Sequence, residues 1–308
     1  MTFAEIYRRD LSLAEQNGTE FSWESEDLPP FNELILSWNG LRPVGFWTFF
    51  VRLKKDSWSS WLKYAEWGLD RQKTFKSFPT DSFASSYQDA VTAKEDCTAF
   101  QIRVQSEHIL ETLHSLHVCL SRPSHFEKTL LPALKPVFLN GIPFQSQMVL
   151  DHPRHRDFCS PTSTSTAINY LLQSRAVDPV QFARSVRDEE FDIYGNWILN
   201  TAEAYERLGC RYRVYVKRLN GFESLHRRLL EGCPVIASVK GTIPGAPQPY
   251  PQGHLICVTG FDPESHQVHC ADPAFPNSES VSAKYNLNDF LTAWGIRRNL
   301  AYIFEKIC

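Results

Sequence analysis

No stretch of the chain approaches the roughly 18 uncharged apolar residues needed to span a membrane, so no transmembrane segment is expected. No two of its eight cysteines stand at Cys-x-x-Cys spacing. That removes the usual zinc and thioredoxin-like readings, and no metal or other cofactor is expected. An excess of one charge is missing too: 32 Lys and Arg face 35 Asp and Glu, for a net charge of −3. A chain so balanced offers no broad basic face, and nucleic acid is not an expected partner. Internal repeats and low-complexity tracts are absent. The start carries Glu5 where a secretory signal would need its apolar core. Cytoplasm is therefore the expected location, although export by a non-Sec route would look the same in sequence.

What is present is an ordinary globular composition, 308 residues with 43% hydrophobic and 22% charged. At roughly 100–200 residues per domain, two domains are expected. The first third suggests β-structure, with strands expected at Glu33–Trp38, Phe46–Leu53, Trp58–Trp67, Lys73–Phe78, Thr98–Ser106 and Leu116–Leu120. Phe100, Ile102 and Val104 alternate with Gln101, Arg103 and Gln105, the period of a half-buried strand. So many short strands point to an antiparallel sandwich. Six of the eight tryptophans precede residue 68. Core packing is the commoner use of such density; a platform for a glycan or protein ligand is the alternative.

Periodicity stops between Ser121 and Lys135, where Pro123, Pro132 and Pro136 punctuate the run. The expected organisation is an unassigned segment over 1–24, a β-sandwich-like domain over 25–122, a linker over 123–136 and a catalytic domain over 137–308. In the last part, helices are expected at Pro161–Ser174, Pro179–Asp188, Trp197–Leu208, Phe222–Glu231 and Leu287–Trp294. Strands are expected at Tyr212–Val216, Pro234–Val239, His254–Phe261, Gln267–Ala271 and Ala301–Lys306. Helices first and strands afterwards is an α+β order.

Most cysteines sit in apolar runs such as Val118-Cys119-Leu120 and Ile256-Cys257-Val258, as buried thiols would. Cys159 differs. Ser160 and Pro161 after it form a helix-start signal, a capping hydroxyl and then proline at the first helical position. Cys159 is thus expected at, or one residue before, a helix N-terminus, where free amides and the dipole favour a thiolate. A cysteine nucleophile needs a base, and the base an orienting acceptor. His152 and His155 lie in a charged loop, whereas His254 opens the apolar run Leu255–Phe261. If the following hairpin is centred on Pro263, Gly260 pairs with His266 and His254 falls opposite Asp272, with a slip of two leaving them diagonal neighbours. Asp272 would stand at a strand end, outside the core. For the developing oxyanion, Gln147 is the preferred side-chain donor and Gln145 the alternative, with the Cys159 backbone amide as a second donor.

Pro143-Phe144-Gln145-Ser146-Gln147, Cys159-Ser-Pro-Thr-Ser, Tyr194-Gly195-Asn196-Trp197, Gly253-His254-Leu255 and Ala271-Asp272-Pro273-Ala274 together resemble bacterial members of cysteine peptidase family thirty-nine, in the papain-like group. The resemblance covers about residues 137–306, with Gln, Cys, His and Asp in the family's order. Stand-alone members with a β-rich N-terminal region have segments similar to Leu34–Gly68. Many members carry Cys-Gly where this chain has Cys159-Ser160, and the stretch from Gln147 to Cys159 is longer than usual. The best-known members trim double-glycine leaders inside transporters; no transporter helices or nucleotide-binding motif occur here, so that role is not expected. The resemblance implies a thiol peptidase acting on a peptide or protein substrate through Cys159, His254 and Asp272. Amidase, isopeptidase or other acyl-transfer chemistry on the same residues is one alternative. A non-catalytic binding protein using the aromatic β domain is the other.

Overall fold

The computed structural model describes residues 3–80, 82–126 and 134–307. The first part holds β1 (Ala4–Asp10), a short helix α1 (Leu13–Gln16), β2 (Glu20–Ser25), β3 (Phe31–Gly40), β4 (Phe46–Lys54), β5 (Leu62–Gly68), β6 (Gln72–Thr74), β7 (Lys76–Ser77), β8 (Ala84–Tyr87), β9 (Ala90–Cys97), β10 (Ala99–Ser106) and β11 (Leu113–Ser121). They form two antiparallel sheets, in the orders β1-β11-β3-β9-β8-β7 and β2-β10-β4-β5-β6. Strands β1 and β2 come from the stretch that the sequence left unassigned; they pair with β11 and β10.

The sheets face each other through aromatics. Trp38 of β3 stacks on Phe49 of β4 with ring centroids 4.2 Å apart, and Trp47 and Trp67 complete the cluster. All three tryptophans are fully buried, each side chain contributing roughly 1.5–3 kcal/mol of apolar transfer. Trp23, Trp58 and Trp61 are only half-buried, and Arg52 and Arg103 lie over the Trp61 ring. The tryptophan-rich segment therefore divides between core and surface.

The second part holds β12 (Val137–Phe138), α2 (Cys159–Leu171), α3 (Pro179–Val186), α4 (Trp197–Arg207), β13 (Tyr212–Arg218), α5 (Phe222–Leu230), β14 (Val235–Gly241), β15 (Tyr250–Asp262), β16 (Gln267–Ala271), β17 (Ser282–Asn286), α6 (Leu287–Ile296) and β18 (Leu300–Lys306). A third antiparallel sheet runs β13-β18-β14-β15-β16-β17, with β12 against β15. Its central strands β18, β14 and β15 are buried on both faces over most of their length. Ile236 and Cys257 pack with α2 and α4, while Val235, Ala237, Ile256 and Val258 pack with α5 and α6. The architecture is α+β, and among the described residues no helix is long and apolar enough to cross a membrane.

The two parts share a continuous apolar core. β13 is an edge strand, and the outer face of β3 covers it. Asn39 donates to the Val214 carbonyl at 2.6 Å and accepts from its N–H, while Ser37 accepts from the Val216 N–H at 3.0 Å. Side chains thus supply hydrogen bonds that a further strand would otherwise make. Beside them Glu33 pairs with Arg218, both nearly sealed from water, with Nη2 to Oε2 at 2.8 Å. Part of the expected linker, residues 127–133, lies outside the described residues.

Removing one member of a buried pair strands the other charge. Glu33→Gln should lower the unfolding free energy by about 3–5 kcal/mol in urea titration. The exposed Glu24→Gln should change it by less than about 0.5 kcal/mol. Equal effects would show that the Glu33–Arg218 contact does not hold the parts together.

Candidate functional site

The helix that carries Cys159 begins two residues before the expected Pro161. Ser160 is not the N-cap: α2 starts at Cys159 itself, Phe158 precedes it without a side-chain cap, and Pro161 falls third. A proline there costs nothing, because first-turn amides have no intrahelical acceptor. The Ser160 hydroxyl instead meets the Tyr302 hydroxyl at 2.9 Å. Ser163 donates to the Leu255 carbonyl at 2.9 Å, seating α2 on β15. Residues Ser160 through Asn169 are all buried, so the small hydroxyl residues let the helix run through the interior rather than along its surface.

His254 lies in β15 and Asp272 just beyond β16. The hairpin register differs from the expected one. Asp262 pairs with Gln267 and Gly260 with His269, and an irregularity follows between Val258 and Gly260. The Asp262 carboxylate accepts from the Glu264 N–H at 3.0 Å and the Ser265 hydroxyl, and His266 adopts a φ of 51°, so the turn spans more residues than a tight turn at Pro263. Asp272 is displaced to the diagonal position, yet His254 Nε2 still meets its Oδ1 at 2.8 Å.

Nor is Asp272 outside the core: its exposure is 0%. Its carboxylate accepts from the Tyr250 and Tyr285 hydroxyls, both at 2.6 Å, and from the Ala274 N–H at 3.0 Å. Burial opposes its ionisation, but His254 and the two tyrosines hold it below the usual carboxylate range. Burial likewise opposes charge on His254, which Asp272 and Cys159 push up to about 10. The Tyr250 ring stacks on the imidazole at 4.0 Å.

With Nε2 on the carboxylate, Nδ1 is left for the sulfur, and the two side chains interact by hydrogen bond and charge. Cys159 is half-buried, at the floor of a cleft. Burial works against its thiolate, but His254 and the N–H groups of Leu255 and Ser160 bring it below the ordinary thiol value. Burial drives Cys97, Cys119, Cys233, Cys257 and Cys270 the other way.

Neither glutamine hydrogen-bonds to this cluster among the described residues. Gln147 is buried, and its Nε2 donates to the carbonyls of His155 at 3.2 Å and Arg156 at 2.7 Å, which uses both amide hydrogens. Gln145 lies in a separate pocket with Ser165, Asn169 and Arg175. A cleft of about 590 Å³ opens at Cys159 instead, walled by Tyr87–Ala90 of the first part and by Tyr194, Trp197 and Arg297 of the second. Sequence reasoning missed Asp89, whose carboxylate takes the Trp197 and Ile198 N–H groups at the start of α4. Burial pushes that carboxyl up to about 8. It also missed Tyr250 and Tyr285, although the alternation of Val281, Ala283 and Tyr285 with polar residues marked a strand.

A cysteine heading a central helix, packed on an antiparallel sheet that carries a histidine and an acidic partner, defines the papain-like class. The chain belongs to the Peptidase C39 like family, whose profile matches residues 139–302, just over half its length. Its function is accordingly cysteine-peptidase-like. No curated protein matches the chain.

Asp272→Asn leaves His254 facing a neutral group in the interior. It should lower stability by about 3–5 kcal/mol in chemical denaturation. Asp262→Asn, at the solvated turn, should cost no more than about 1 kcal/mol. Comparable losses would mean that Asp272 is not the anchor its contacts describe.

Proposed function

We propose that the protein hydrolyses peptide or amide bonds through Cys159, His254 and Asp272. The observation that carries this reading is the buried His254–Asp272 hydrogen bond at 2.8 Å, beside a cysteine whose thiol is lowered while other buried thiols are raised. Such a pair favours thiolate and imidazolium in the resting site. The thiolate would attack the carbonyl carbon, forming the C–S bond as an electron pair moves to oxygen. The Cys159 main-chain N–H, which has no acceptor among the described residues, is the donor best placed for that oxyanion. His254 would then protonate the leaving amine, giving a thioester. Water deprotonated by His254 would release the acid and restore the thiol. Asp272 would hold the ring's orientation and its charge without transferring protons.

Iodoacetamide at pH 6 should modify Cys159 faster than any other cysteine, read residue by residue by mass spectrometry. Cys159→Ala should abolish cleavage of a casein or peptide-library substrate. If Cys97 or Cys257 reacts as fast in the folded protein, the assignment fails.

The pH dependence has a definite sign. Activity should rise with pH as Cys159 ionises, below the ordinary thiol range, and fall as His254 loses its proton near about 10. Because Asp272 raises His254, Asp272→Asn should move the alkaline limb to lower pH and reduce kcat by about 10- to 10⁴-fold. An unmoved alkaline limb would remove Asp272 from the role given to it.

A further inference from the structure

The cleft at Cys159 holds more positive charge than its own carboxylates can match. Arg154 is compensated, meeting Asp157 at 2.9 Å and Asp192 at 2.8 Å. Asp89 is spent on the amides of α4. Arg297 has no carboxylate in contact among the described residues, and of acidic groups only the more distant Asp89 and Cys159 act on it. Nη2 donates to the Gln252 carbonyl at 2.7 Å, while the buried Nε has no partner and the guanidinium forms no ion pair among the described residues. Arg156 stands exposed on the same rim, also without an ion pair among them.

The backbone is shaped to seat Arg297. Gly253, next to His254, has a φ of 103°, and a Cβ there would lie 2.0 Å from Nη2. Only glycine permits both that conformation and that approach. A guanidinium that lines the cleft and packs against the strand that carries the base, with no carboxylate in contact, is suited to bind a planar anion.

Resting on the thiol-hydrolase reading, we propose that Arg297 binds a carboxylate of the substrate beside the scissile bond, which makes the enzyme selective for acidic peptides. Either an acidic side chain or a free C-terminus supplies that chemistry. Arg156 adds to the attraction from the rim, and the hairpin at Tyr87–Ala90 closes the opposite wall.

The test compares two alkylating probes of Cys159, anionic iodoacetate and neutral iodoacetamide. Their rate ratio cancels any change in thiolate content, so it reports attraction for the carboxylate alone. At pH 7 and low salt, Arg297→Gln should lower the ratio about 10-fold, and Arg297→Lys by less than about 3-fold, as expected for one charge a few ångströms away near the surface. An unchanged ratio in Arg297→Gln overturns the proposal. The unmodified protein gives a reading that needs no variant: the ratio at Cys159 should be higher in the folded than in the urea-unfolded chain, and a ratio no higher overturns the proposal. Peptide pairs then separate the sources. Preference for Asp over Asn assigns a side chain, and preference for a terminal acid over its amide assigns a C-terminus. A falling ratio with no peptide cleaved would keep the carboxylate site and reject the hydrolase reading.

Discussion

A carboxylate without access to water is the constraint around which the site is built. Left unmatched, Asp272 would take up a proton, since burial penalises the charged form. Two tyrosine hydroxyls, one backbone N–H and an imidazole all converge on it. Those donors come from β15, from β17 and from the turn after β16, so satisfying one charge fixes three pieces of backbone together. Tyr250 acts twice, with its hydroxyl on the carboxylate and its ring face on the imidazole. Held in the plane by a hydrogen bond and out of the plane by stacking, His254 keeps one nitrogen turned toward the sulfur.

The β-rich part belongs to this arrangement rather than decorating it. The carboxylate that holds Arg218 comes from β3, and Arg218 Nη1 donates in turn to the Arg297 carbonyl at 2.6 Å. Asp89 leaves the same part to cap α4 at Trp197, while Thr74 bonds the buried Asp188 carboxylate, which also takes the Asn196 side chain at 2.9 Å. Both walls of the cleft are therefore tied to strands laid down before residue 100. Because the shared core is continuous, displacement of one part would be felt at the other.

The sequence made visible what depends on local pattern. Helix starts at Pro179, Trp197, Phe222 and Leu287 coincide with the expected ones because caps and periodicity are short-range signals. His254 and Asp272 could be brought together from the sequence because a hairpin register admits few choices, and a diagonal slip still leaves a long side chain in reach. Gln147 shows the limit: spacing gave it a place upstream of the cysteine, but whether its amide meets an oxyanion or a carbonyl depends on how the 141–158 loop folds back. Arg297 and Asp89 lie far from the cysteine in sequence, and nothing local announces either. Gly253 was visible as a residue, whereas its reason, a guanidinium across the strand, was not.

The His254–Asp272 pair also links stability to pH. Asp272 lies below its ordinary value of 3.8, so its contribution is present above that value and is lost as pH falls through the folded one. His254 is raised from 6.5 to about 10, so its contribution is full below 6.5 and fades as pH rises toward 10. The two describe one contact seen from either side, and it is strongest between the two ordinary values. Reactivity calls for a further condition, an ionised Cys159, which the imidazolium itself supplies by lowering the thiol. Fold and thiol thus draw on one proton: while His254 holds it, the carboxylate is matched and ionisation of the sulfur is favoured. When the proton leaves at high pH, the interior anion loses its counter-charge and the thiolate the cation beside it.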